Sequence, residues 1–207
     1  MAANPGGTAM AGNSEHGGER RMNGWRIAAW TFAGLILLLP LVAMQFTKDV
    51  NWTAGDFVFA GALVLGTGLA LELAMRKTAD PAYRAAAGIA LAAGFLIVWL
   101  TGAVGIIGDE SNDANWLYAG VLAIGAIGAV LARFQPQGMA RTSLAMALAT
   151  AAIGAIALAA RWGSTGPIWP MDVLGLTALL VTLFVGSAML FQKAARRPSH
   201  ASTSPAL

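Results

Sequence analysis

Apolar runs alternate with short polar clusters along this chain at a nearly regular spacing. Uncharged stretches occupy positions 27–47, 85–108, 114–132, 142–160 and 173–192. A sixth apolar run, 54–75, carries only Asp56 near its start and Glu72 near its end. A helix needs about 20 apolar residues to cross the hydrocarbon core of a bilayer. Lipid satisfies no exposed backbone group, and the period-two alternation of a barrel strand is missing, so each run predicts a helix. The expected fold is all-α, an integral membrane bundle of six helices.

Local chemistry suggests where these helices begin and end. Thr53 and Asp56 in "TAGD" fit a capping box with Asp in place of Glu, and Asp172 follows Pro170 at the start of the last run. Gly108 suits the end of the third helix, while Asn112, Asp113 and Asn115 suit caps for the fourth. Pro40 removes a backbone donor inside the first run and predicts a kink. Trp25, Trp30, Trp52, Trp116, Trp162 and Trp169 fall near run ends, as an aromatic belt requires, whereas Trp99 falls mid-run. Glycines such as Gly88, Gly94, Gly120, Gly125 and Gly128 predict close helix contacts, within one chain or between copies.

Composition turns the pattern into a compartment. Of 207 residues 57% are hydrophobic and 11% are charged, against roughly 25% charged in an ordinary globular protein. A soluble body of this length cannot hide so much apolar surface. Eleven of the 13 Lys and Arg fall in the N-terminal tail, the second and fourth connections and the C-terminal tail, leaving Lys48 and Arg161 opposite. The positive-inside rule then puts both termini in the cytoplasm, and six spans close that count. The basic residues behind the net charge of +3 are split among four segments, so they read as topology and no nucleic-acid partner is expected. Residues 1–24 read as a disordered polar tail, 25–192 as the six-span helical domain and 193–207 as a disordered basic tail. The first run lacks an A-x-A cleavage site and reads as a retained span.

Candidate chemistry is sparse. There is no cysteine, and both histidines, His16 and His200, lie in the tails. No catalytic residue, cofactor site or metal site is assigned, and no enzyme activity is expected. Glu72 is the acid embedded within a run, and Arg76 follows at i+4 in the favourable order. A structural pair is the plainer reading, and an ion or proton site at Glu72 and Arg76 is the sharper one. In "GIIGDESNDANW", positions 105–116, Asp109, Ser111, Asp113 and Asn115 alternate like the first half of a calcium loop. Ala114 stands where that loop needs glycine and Gly120 where it needs glutamate. The segment therefore reads as a wet cap between two spans, with an outer cation site at Asp109 and Asp113 as the alternative.

Two stretches, "AVGIIGDESNDANWLYAGVLAIGAIGAVLARFQPQGMAR" and "WTAGDFVFAGALVLGTGLALEL", together resemble a family of small, uncharacterised multi-pass bacterial membrane proteins. The likeness runs from about residue 50 to residue 160. It implies a bacterial membrane setting and supplies no site residue. The expected protein is a non-enzymatic component of the bacterial cytoplasmic (inner) membrane, a subunit of a larger complex. Its partners are the lipid bilayer and a membrane protein or further copies of itself. The alternative is a transporter or pore for a small neutral or apolar solute.

Overall fold

The structure, a computed structural model, describes residues 13–47, 51–164, 166 and 168–196. Among these there is no strand. Six α-helices follow in order: α1 (Asn13–Phe46), α2 (Ala54–Lys77), α3 (Pro81–Ala103), α4 (Leu117–Leu131), α5 (Pro136–Ala159) and α6 (Met171–Ala195). A single 3-10 turn, Asp113–Trp116, leads into α4. The helices α2 to α6 are each long and apolar enough to cross a membrane, α4 when taken together with that turn. The apolar part described for α1, Ala33–Phe46, is shorter than a span.

The chain divides into two units, Met1–Val64 and Leu65–Leu207. In the first, α1 starts at Asn13, inside the stretch assigned above to a tail. Positions 1–12 of that tail lie outside the described residues. At the start of α2 the capping box forms: the Thr53 N–H and hydroxyl donate to Asp56 Oδ2 at 2.7 and 2.8 Å. In return the Asp56 N–H donates to Thr53 Oγ1 at 3.3 Å. Trp52 and Phe57, one residue outside the cap and the fourth inside, meet edge to face at 5.2 Å, which closes the entry as a hydrophobic staple.

In the second unit α6 lies between α5 and α3, and α4 packs on α5. Ala93 and Ile97 of α3, Tyr118 and Val121 of α4, Met146 and Ala147 of α5, and Leu180 and Phe184 of α6 form its main core. Glycines set the closeness of these contacts. A Cβ on Gly125 would stand 2.8 Å from the Met146 side chain, and one on Gly128 or Gly154 would stand 2.5 Å from Thr142 or Thr177. These three glycines serve contacts within one chain. Gly120, Gly175 and Gly186 face open space.

One end of this unit carries the short turns. Pro81 opens α3, and Asp80 caps it by accepting the N–H groups of Ala82 and Tyr83 at 2.7 and 3.1 Å. The Tyr83 hydroxyl donates to the Phe134 carbonyl at 2.7 Å, and its ring meets Phe191 edge to face at 5.0 Å. Arg84 donates to the Thr78 and Met75 carbonyls at 2.8 and 2.9 Å, which ties α3 to the end of α2. Helices α4 and α5 both end in Schellman bonds: Phe134 and Trp162 donate to Ala129 and Ala157, Arg133 and Arg161 to Val130 and Leu158. The left-handed position usually given to glycine is held by Arg133 and Arg161, at φ of 50 and 57°. At its C-terminus α6 runs to Ala195, past the tail boundary read at Gln192; positions 197–207 lie outside the described residues.

Candidate functional site

The two longer connections of the second unit meet at its other end, and their structure is more than a wet cap. Helix α3 stops at Ala103, short of Gly108, and Gly105 turns the chain at a φ of 80°. The reason lies in Asn115, which is only 2% exposed. Its Oδ1 accepts the N–H groups of Ile106 and Ile107 at 3.0 and 2.9 Å. Its Nδ2 donates to the Asp109 carbonyl at 2.8 Å and more loosely to that of Ile107 at 3.4 Å. Those bonds stand in for the ones a continuing helix would make, and they fold Ile106 and Ile107 into the core. Gly108, at a φ of 74°, then lies backbone to backbone against Gly163, at 75°, in the α5–α6 connection.

The acidic side chains of the segment stay outside this clamp. Asp109 Oδ1 accepts the Ser111 N–H at 2.9 Å and its hydroxyl at 2.6 Å. Those two donations hold the Asp109 carboxyl below its ordinary value, the hydroxyl contributing most. Asn112, not Asp113, caps the 3-10 turn, accepting from the Ala114 N–H at 3.0 Å. Asp113 lies in that turn as an exposed residue. Among the described residues no three of His, Asp and Glu gather into a group that could hold a metal ion.

The other sequence candidates do meet. Arg76 Nη2 donates to Glu72 Oε1 at 2.6 Å across one turn of α2. The Arg76 side chain is 66% exposed and that of Glu72 19%, so the pair straddles the helix surface with the carboxylate on its inner side.

Buried hydroxyls were not singled out by the sequence, and they fall into two groups. In the first, every hydroxyl has a partner. Ser187 donates to the Ala86 carbonyl at 2.9 Å and lies 3.3 Å from the Ser143 hydroxyl, joining α6 to α3 and α5. Thr150 donates to the Met146 carbonyl at 2.8 Å and Thr142 to that of Gly138 at 3.1 Å. In the second group, the hydroxyls of Thr101, Tyr118 and Thr177 and the indole nitrogen of Trp169 are buried without a hydrogen-bond partner among the described residues. Tyr118 faces Thr177 without closing a well-formed bond. A signal for both groups exists in hindsight: Ser, Thr or Tyr at helical spacing with the apolar face, as in Ala93, Ile97 and Thr101 or Val173, Thr177 and Leu180.

Compared with known proteins, the chain matches no family model, no curated protein and no solved structure.

Proposed function

We propose that this chain is a non-enzymatic component of a bacterial inner membrane that works as a subunit of a larger assembly. The observation that carries the reading is the seam between α3, α5 and α6. Where Ser143, Ser187 and Ala86 meet, its buried hydroxyls are engaged with one another and with a helix carbonyl. Side chains bound in this way fix helix against helix and are not available to a passing substrate. The membrane setting rests on the five apolar helices, and α1 supplies a sixth span in this proposal. Arg76, Lys77, Arg84, Arg133, Arg141 and Lys193 fall at the short-turn ends of α2 to α6, which supports a cytoplasmic location for that end and for both termini.

Affinity purification of the tagged chain from native membranes in a mild detergent tests the assignment. A second membrane protein recovered in fixed stoichiometry is the expected result. Recovery of the chain alone with a tightly held small molecule would overturn it in favour of a carrier. Topology is tested separately: a reporter fused after Gln192 should read cytoplasmic and one inserted at Asn112 external. A cytoplasmic signal at Asn112 contradicts the six-span arrangement.

A further inference from the structure

We propose that the short-turn end of the second unit docks on anionic phospholipid headgroups, with Lys77 and Arg133 at the centre of the contact. The inference rests on the membrane setting proposed above and holds whether or not the chain is a subunit of an assembly. It begins from the distribution of charge. Among the described residues of Leu65–Leu207, this end carries seven Lys and Arg against two acids, Glu72 and Asp80. The long-connection end carries Asp109, Glu110, Asp113 and Asp172 against Arg161.

Protein acceptors already occupy two of the seven cations. Arg76 binds Glu72, and Arg84 binds the Thr78 and Met75 carbonyls. Arg133, Arg141, Lys193 and Arg196 are exposed, and among the described residues they have no ion pair and no side-chain hydrogen bond.

One corner of this end is fixed in place. The Lys77 ammonium stands 4.2 Å from the centroid of the Phe134 ring, an attraction that orders an otherwise free side chain. Phe134 is itself held: its N–H donates to the Ala129 carbonyl, and its own carbonyl accepts the Tyr83 hydroxyl at 2.7 Å. Tyr83 packs in turn on Phe191, two residues before Lys193. These contacts gather the turns that carry Lys77, Arg133 and Lys193 around one tyrosine. A topology signal requires positive charge on one side of the membrane and no such ordering. Headgroups form a layer, so the cations need a common end of the molecule and not a common pocket.

The surroundings favour a lipid over a soluble anion. Val130, Leu131 and Phe134 are exposed apolar side chains beside Arg133. A phospholipid offers acyl chain to these three and phosphate to the cations, whereas free phosphate meets the cations alone.

The test uses the full chain in detergent micelles, with phosphatidylglycerol, phosphatidylcholine and inorganic phosphate as probes. Native mass spectrometry reads the dissociation constant of the first bound lipid. Phosphatidylglycerol should bind about 20-fold more tightly than phosphatidylcholine, roughly fivefold for each of the two central cations. The advantage should shrink as ammonium acetate is raised. Lys77→Gln and Arg133→Gln should each weaken phosphatidylglycerol binding by about fivefold. Arg161→Gln, at the opposite end, should change nothing, and Arg133→Lys should keep the parent affinity. If Arg133→Gln does not fold, Lys77→Gln decides. Equal affinity for the two lipids, or an equal loss in Arg161→Gln, overturns the proposal. So does displacement of the lipid by millimolar inorganic phosphate, which would assign the cations to a soluble anion. Failure of the membrane setting reads differently: the chain would then stay out of liposomes of either lipid in a flotation assay, and both readings would fall.

Discussion

Gly163 and Gly108 touch through their backbones: a Cβ added to Gly163 would stand 2.6 Å from the Gly108 nitrogen and 2.8 Å from its Cα. Gly163 also holds a φ of 75°, where a side chain is strained. Gly163→Ala should therefore cost about 2 kcal/mol of stability, from the left-handed backbone and the collision together. Gly175, in α6 with open space around it, is the internal control. Gly175→Ala should be neutral or stabilise by up to ~1 kcal/mol, as alanine does in a helix. Unfolding midpoints of the two variants in the same micelles decide the matter, and equal shifts would contradict the close contact.

Replacing Asn115 tests the clamp. Asn115→Leu keeps the bulk but leaves the Ile106 and Ile107 N–H groups without their acceptor. Each orphaned buried group costs about 1–3 kcal/mol, so the loss should be roughly 3 kcal/mol. Amide hydrogen exchange at Ile106 and Ile107 should rise with it, ahead of exchange in α5. Protection that survives in the variant would show that the segment is held by something other than Asn115.

Glu72 and Arg76 are expected to behave as a surface pair. Helical i,i+4 ion pairs are worth ~0.2–0.5 kcal/mol, and two-thirds exposure of the Arg76 side chain keeps the value low. A double-mutant cycle with Glu72→Gln and Arg76→Gln should return a coupling in that range. Coupling several times larger would move the pair from a structural role toward an ion or proton site.

Asp109 gives the segment a pH dependence of known sign. Its folded pKa is depressed below 3.8, chiefly by the Ser111 hydroxyl and then by the Ser111 N–H. The contribution to local order is then full above about pH 4, the value for an unfolded aspartate, and is lost as pH falls through the lower folded value. Exchange of the Ser111 amide should accelerate only below that point, and Asp109→Asn should abolish the acid step. An acid step that persists in Asp109→Asn would assign it to another group.

The helices were legible in the sequence because hydropathy along a span is a local property, and so was the Thr53 and Asp56 cap, whose parts lie within one turn. The end of α3 was not. Gly105 and Gly108 both suit a helix terminus, and the choice is made by Asn115, eight and nine residues away from the amides it captures. Glycine roles were equally hidden: Gly120, Gly125 and Gly128 lie on one helix, yet only the last two are packed on α5. A small residue suits lipid and helix contact alike, so periodicity does not separate them. The left-handed Arg133 and Arg161 carry no local signal, since most such positions are glycine. Nor did the sequence pair Ser143 with Ser187, which are 44 residues apart. Of the site candidates, it foresaw the Glu72 and Arg76 contact, and Asn115 only as a cap or a position in a calcium-like loop.

The Ser187 hydroxyl, bonded to the Ala86 carbonyl beside Ser143, acts on α6 as a detent acts on a sliding bolt. One helical turn is 5.4 Å, so a piston stroke of that size along α6 would carry Ser187 away from both partners and press Phe184 or Phe191 into their place. Travel along the axis would have to break both contacts, which opposes sliding by about 1 kcal/mol for each. The chain has no native cysteine, so paired cysteines introduced on α5 and α6 beside Ser143 and Ser187 can read such a slide: their cross-linking should be constant across conditions.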